Sequence, residues 1–338
     1  MEKKNTLWAF CLKVVLMVVI LFGVDRLVGA AFVKMKDAGL ATNPENMWLK
    51  TPFTVEKVDA DVVVIGSSKA SHHYVPQMLE DSLGMTAYNC GQDGCFFLYQ
   101  NCIINMILDR YTPKMILWDI QPGSFVGKDH SNEYQNIRYL SPYYPANTWA
   151  ESYINSESPK MRYRMMSRMF AYNSKALNYV FPLVTHSSAT KNGYIPLATE
   201  GYLYPEMSKQ AEKEGVVNSA YLDLLDKTMK RCKENGVELR MYISPEFSQK
   251  SALTTAAEEE IGSVAMSNKV GFTNAHSEEY FMQDATLFKH ASHLKDKVAR
   301  MFTAMWCVIY FGKLTFYDGS GYMKFSPDSF DFEMGKKI

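Results

Sequence analysis

Hydrophobic positions fall into two regimes along this chain. From Leu7 to Val24 the sequence is apolar except for Lys13, and Val14 to Val24 contains only apolar residues and glycine. A helix with no polar face is a poor surface helix for a water-soluble domain. The run is close to the ~20 residues that cross a bilayer core, and Lys13 lies near enough to one end to snorkel. Beyond residue 57 short β-branched runs alternate with amphipathic stretches.

The alternation predicts a series of strands and helices. Asp61-Val-Val-Val-Ile-Gly-Ser-Ser68 reads as a strand buried on both faces and then a turn. A helix from Val75 to Leu83 and a strand from Thr86 to Gly91 follow. Phe96 to Tyr111 has Tyr99, Ile103, Met106 and Ile107 at helical spacing and is stopped by Thr112-Pro113. Lys114 to Ile120 forms a third strand. Asn218 to Glu234 is an amphipathic helix with Leu222, Leu225, Met229 and Cys232 along one face, stopped by Asn235-Gly236. Val237 to Ser244, a helix from Ala252 to Ser267, Gly271 to Asn274, and a closing helix from Lys295 to Tyr310 complete the pattern. Strand–helix repetition at this spacing predicts an α/β fold: a three-layer α/β/α arrangement around a parallel sheet of about five strands.

The same pattern sets the expected boundaries. Residues 1–26 form the anchor and 27–57 a mixed linker broken by Asn43-Pro44 and Thr51-Pro52. Residues 58–310 form the α/β domain and 311–338 a tail. Residues 123–217 depart from the alternation, being rich in Tyr, Ser, Asn and Met. They read as an insertion capping the carboxyl edge of the sheet, helical in part from Lys160 to Tyr179.

A cleaved signal peptide competes with a retained anchor, because Gly29-Ala30-Ala31 resembles a small-residue cleavage site. Asp25 and Arg26 interrupt the approach to it, so the anchor is preferred. Lys3 and Lys4 favour a cytoplasmic amino terminus, against Arg26, Lys34 and Lys36 on the other flank. A single pass through the cytoplasmic (inner) membrane, with the main domain outside the cytoplasm, is therefore expected.

Charge narrows the function classes. Lys+Arg and Asp+Glu each total 36, which provides no basic excess for nucleic acid. Of 6 cysteines, Cys11 lies in the anchor, and no CxxC pair or Cys/His spacing suggests zinc. Buried thiols are expected, with a disulfide inside Cys90–Cys102 as the alternative. No metal or cofactor is implied, and no feature fixes an oligomeric state.

Ligands in open α/β sheets gather beyond the carboxyl ends of the strands. There the first strand is followed by Gly66-Ser67-Ser68, a turn that exposes a hydroxyl beside backbone N–H groups, although serine is also a favoured helix cap. The second strand ends in Asn89-Cys-Gly91-Gln-Asp-Gly94. His290-Ala-Ser-His293 precedes the last helix, where an imidazole would take a serine proton.

In this order the chain resembles the SGNH/GDSL hydrolase superfamily, in particular the membrane-anchored bacterial branch that includes exopolysaccharide O-acetyltransferase-like proteins. The resemblance spans about residues 58–310. It implies a flavodoxin-like fold with Ser68 as nucleophile, Ser67 in the place of the family's Asp, Gly91 as oxyanion glycine and His293 as general base. Where the family has an Asp three residues before its His, this chain has His290; Asp284, another carboxylate or a bare Ser–His dyad would take over. Where the family's third block supplies an Asn to the oxyanion, the chain offers Gln121. The implied activity is an esterase or O-acyltransferase acting on an envelope or extracellular glycan or other acyl ester. A catalytically inactive glycan-binding or scaffold protein of the same fold is the alternative.

Overall fold

The computed structural model describes residues 2–126, 138–157, 160–185, 190–198, 205–210, 215–276, 278–311, 314–317 and 322–325. Helix α1 runs from Glu2 to Thr42, about 60 Å at 1.5 Å per residue. By length and composition it is the one helix among the described residues suited to crossing a membrane. Residues 7–22 are exposed, whereas Gly29, Lys36, Gly39 and Leu40 are buried against the domain.

The expected linker at 27–57 is instead ordered helical structure. Lys36 there is buried and paired, so it does not mark a solvated tether: it pairs with Glu56 and with Asp37 at 3.1 Å. Phe32 stacks on Tyr172 with ring centroids 5.9 Å apart. Asn46 accepts a hydrogen bond from the Trp48 N–H at 3.0 Å, and helix α2 follows at Lys50–Glu56. Pro52 sits in the first turn of α2, where a backbone N–H would lack an intrahelical partner anyway.

The domain then builds β1 (Val62–Ile65), α3 (Ser68–His73), α4 (Pro76–Leu83), β2 (Ala87–Asn89), α5 (Phe97–Arg110) and β3 (Met115–Asp119). In the insertion lie α6 (Thr148–Glu157), α7 (Met161–Arg164), α8 (Arg168–Tyr172) and α9 (Ala176–Val184). The alternation resumes with α10 (Ser219–Glu234), β4 (Glu238–Ile243), α11 (Ala252–Ser267), β5 (Gly271–Asn274), the short α12 (Glu279–Met282) and α13 (Asp296–Phe311).

The five strands pair in parallel in the order β2-β1-β3-β4-β5. This is the strand order of flavodoxin-like doubly wound sheets. Side-chain alternation along the strands builds the two outer layers. Val63, Ile65, Ile116 and Trp118 join α5, α10 and α11 in one apolar cluster. Val62, Val64, Met115 and Leu117 join α4 and α13 in another. Between β1 and β3 the chain direction of winding reverses, and the carboxyl ends of those strands frame a crevice there.

The insertion divides its work. Helices α8 and α9 pack along α1, and α6 packs on α5. Its later stretch reaches the sheet edge: the Asn89 N–H donates to Asn192 O at 2.8 Å, and the Ile195 N–H to Ser71 O at 3.0 Å. Part of the expected tail is structured as an antiparallel pair, Leu314–Tyr317 with Tyr322–Phe325. The tail's remaining residues, 312–313, 318–321 and 326–338, and 127–137, 158–159, 186–189, 199–204 and 211–214 of the insertion lie outside the described residues. Cys90, Cys95, Cys102, Cys232 and Cys307 are buried free thiols.

Candidate active site

Ser68 opens α3 directly beyond the carboxyl end of β1. The turn that places it depends on Gly66. A Cβ at that position would lie 2.5 Å from Ala70 Cβ and 2.9 Å from the Asp119 carbonyl oxygen, so a side chain would push β1's turn off the end of β3. Asn89 fixes the far end of α3 by donating from Nδ2 to the carbonyls of Ala70 (2.7 Å) and Tyr74 (2.8 Å).

His293 arrives from the other end of the domain on a tight pair of strands, Phe288–His290 against His293–Leu294. The Phe247 N–H donates to Ala291 O at 2.6 Å and pins the turn. The Leu294 N–H donates to His73 Nε2 at 3.0 Å, which fixes His73 as the Nδ1-protonated tautomer. Thr303 on α13 donates to the His73 carbonyl at 3.0 Å. Through these bonds α3 and the His293 strand are fastened to each other. His293 Nε2 consequently lies 2.8 Å from Ser68 Oγ, both side chains half-buried, across 225 positions of sequence.

On the opposite side of the ring, His293 Nδ1 faces Ser292 Oγ at 3.2 Å. Burial, then the neighbouring His72 and Lys69, push the imidazole down to about 4, while Asp93 pulls in the other direction. Near neutral pH it is uncharged, and its Nε2 can accept the Ser68 proton.

Further titratable side chains lie around the dyad. Lys69, next to Ser68, is buried and paired with Glu246 Oε2 at 2.5 Å. Burial alone would raise the Glu246 carboxyl, but Lys69 holds it down to about 2. His72 packs edge-on against His293 with centroids 5.3 Å apart; its Nδ1 donates to Ile195 O at 2.7 Å, and its Nε2 lies 3.5 Å from Asp93. Asp119, at the end of β3, accepts a hydrogen bond from the Ser244 hydroxyl, and burial pushes its carboxyl up to about 6.

The structure does not bring the other expected residues into these roles. Asp284 turns its carboxylate to the Thr286 N–H at 2.7 Å, capping a single turn, and makes no bond to His293. The Gly91 N–H donates to Asn89 Oδ1 at 3.0 Å. What Gly91 provides is space: a Cβ there would lie 2.6 Å from the Ser71 nitrogen. The Gln121 amide donates to Asp119 Oδ1 at 2.9 Å and accepts from Gln100 Nε2 at 3.0 Å, so it closes the end of β3. His290 is exposed, its ring 6.2 Å from that of His293.

Sequence reasoning missed the Lys69–Glu246 pair, the tautomer lock at His73 and Asp93. It also missed a serine–histidine–carboxylate chain elsewhere in the domain. Ser248 Oγ lies 3.1 Å from His276 Nε2, and His276 Nδ1 lies 2.9 Å from Glu258 Oε1. Lys250 and Asn274 also donate to Glu258, at 2.5 and 2.7 Å. With Ser248, His276 and Glu258 only 1%, 2% and 5% exposed, this chain has no access for a substrate, and it serves as a polar clamp between β5, α11 and the loop after β4. Such long-range pairs leave no mark on local spacing, except that Glu246, Ser248 and His276 directly follow strand ends.

Among the described residues no group of three or more His, Cys, Asp or Glu could hold a metal. Compared with known proteins, the chain matches no protein-family model and no curated protein.

Proposed function

We propose that the chain is a membrane-anchored serine esterase or O-acyltransferase of the SGNH/GDSL type, acting outside the cytoplasm on an acyl ester of an envelope or extracellular glycan. The single observation that carries this reading is the 2.8 Å contact between Ser68 Oγ and His293 Nε2 at the switch point of the sheet. His293 takes the Ser68 proton as Oγ attacks the ester carbonyl, and the N–H of Ser68 donates to the developing oxyanion. The imidazolium returns its proton to the departing alcohol, which leaves an acyl-Ser68. Water then releases the acid (esterase), or a sugar hydroxyl accepts the acyl group (transferase): His293 removes the attacker's proton and returns it to Ser68 Oγ as the acyl–oxygen bond breaks.

A second reading, a glycan-binding or scaffold protein of the same fold, draws support from the Nδ1 side of His293. A hydroxyl there holds the ring but provides no negative charge for the imidazolium. In a serine-protease triad, replacing that carboxylate by an amide, which puts the imidazole in the wrong tautomer, lowers kcat by about 10⁴. The enzyme reading therefore implies slow acylation.

The test is stopped-flow treatment of the full chain in detergent with an activated acetyl ester, beside Ser68→Ala. A burst of leaving group in wild type that is absent in the variant supports the enzyme. Identical traces favour the binding protein.

A further inference from the structure

We infer that the segment from Lys160 to Phe170 is a membrane-interface contact that seats on anionic lipid headgroups beside the anchor. The inference rests on reading α1 as a membrane-spanning helix, and it adds a second contact with the same bilayer.

Just past the apolar run the insertion bonds directly to α1. Asp25 Oδ1 accepts hydrogen bonds from the Ser167 hydroxyl (2.5 Å) and the Met169 N–H (3.0 Å), and its Oδ2 accepts from the Arg168 N–H (2.9 Å). The Arg26 guanidinium donates to Met166 O at 2.9 Å. Gly29 leaves room for Arg168, whose Cβ would lie 2.5 Å from a Cβ at Gly29. These three α1 positions lie within five residues after Val24, the last residue of the apolar run. If the run up to Val24 lies in hydrocarbon, the α7–α8 junction lies at the headgroup level.

The side chains carried at that level fit such a place. Met161, Met165, Ala171 and Tyr172 are buried inward, yet Tyr163, Met166, Met169 and Phe170 point outward and are 62%, 68%, 43% and 36% exposed. A segment apolar on both its inner and outer sides needs a second apolar phase. Its charges are one-signed: Lys160, Arg162, Arg164 and Arg168 with no acidic residue between Lys160 and Tyr172. All four are exposed. Aromatic and thioether side chains beneath a row of cations match the boundary between acyl chains and anionic headgroups. The exposed apolar residues of α9 do not belong to this patch. Pro182 packs near Gly39 and Thr185 accepts from Asn43, about 20 Å further along α1.

The test uses the full chain carrying Cys11→Ser, with single cysteines introduced by Leu16→Cys, Met166→Cys, Met169→Cys or Glu259→Cys and labelled with a fluorophore. Each protein is reconstituted in phosphatidylcholine vesicles with or without phosphatidylglycerol, containing nitroxide lipids labelled near the headgroup or deep in the acyl chain. The expected result is deep quenching at Leu16, shallow quenching at Met166 and Met169 several-fold above Glu259, and a further rise with phosphatidylglycerol that Arg162→Gln/Arg164→Gln/Arg168→Gln abolishes. Quenching at Leu16 with Met166 and Met169 no different from Glu259 would overturn the interface contact and leave the anchor standing. No quenching at Leu16 would remove the anchor, and the contact with it. Quenching at Met166 that ignores both phosphatidylglycerol and the arginine substitutions would overturn the headgroup assignment.

Discussion

The Nδ1 atom of His293 faces the hydroxyl of Ser292 at 3.2 Å, on the side of the ring where a serine-hydrolase triad places a carboxylate. The imidazole is half-buried beside His72 and Lys69 and is held down to about 4. A base of this kind is deprotonated across the physiological range but is weak.

The pH profile of acylation should show this. The rate with an activated acetyl ester is expected to rise through about pH 4 and stay flat from pH 5 to 8. A half-maximum near 6.5, the ordinary value for histidine, would show that the ring is not held in this environment. Stability follows the same group. A folded value below the unfolded one stabilises the protein fully above about pH 6.5 and progressively less as pH falls toward 4. Compared with His293→Gln by urea unfolding, wild type should therefore lose a few kcal/mol more between pH 6.5 and 4.

Position 290 offers a gain-of-function test. His290 and His293 are paired across the two short strands. A carboxylate introduced by His290→Asp should raise the His293 value from about 4 and increase the acylation rate at pH 7 by about tenfold or more. Two-dimensional NMR of the imidazole and stopped-flow kinetics would measure both. An unchanged value and rate would mean that residue 290 does not reach the ring.

The Lys69–Glu246 pair should behave as a buried ion pair. Glu246→Gln strands a cation beside Ser68 and is expected to cost about 3–5 kcal/mol in denaturant unfolding. Lys69→Met/Glu246→Leu, which removes both charges, should lie closer to wild type. Equal costs for the single and the double variant would show that the pair is not coupled.

Much of this fold is legible in the chain because its strands are buried on both faces. Val62-Val-Val-Ile65 and Met115-Ile-Leu-Trp118 are continuous apolar runs, and each predicted main-sheet strand contains the observed one. The stretch 27–57 was not legible, since Lys36 and Lys50 look solvated in sequence although both are buried, Lys50 bonding to Ser71 at 3.2 Å. In the site, Ser68 and His293 were marked by their order relative to strand and helix ends. Gly91, Gln121 and Asp284 were not separable from their roles in sequence, because what occupies them is a specific bond: Asn89 to Gly91, Gln100 and Asp119 to Gln121, and Thr286 to Asp284. Residue type proposes a donor, but only geometry shows whether the donor is already engaged.

The account centres on the hydroxyl of Ser68 being the nucleophile that the His293 imidazole activates. Its most direct measurement is peptide mass spectrometry of the full chain after exposure to a fluorophosphonate at pH 7, with His293→Ala alongside. One adduct is expected on the peptide containing Ser68, lost or strongly slowed in His293→Ala. An unmodified Ser68 peptide, or equal labelling with and without the imidazole, would contradict it.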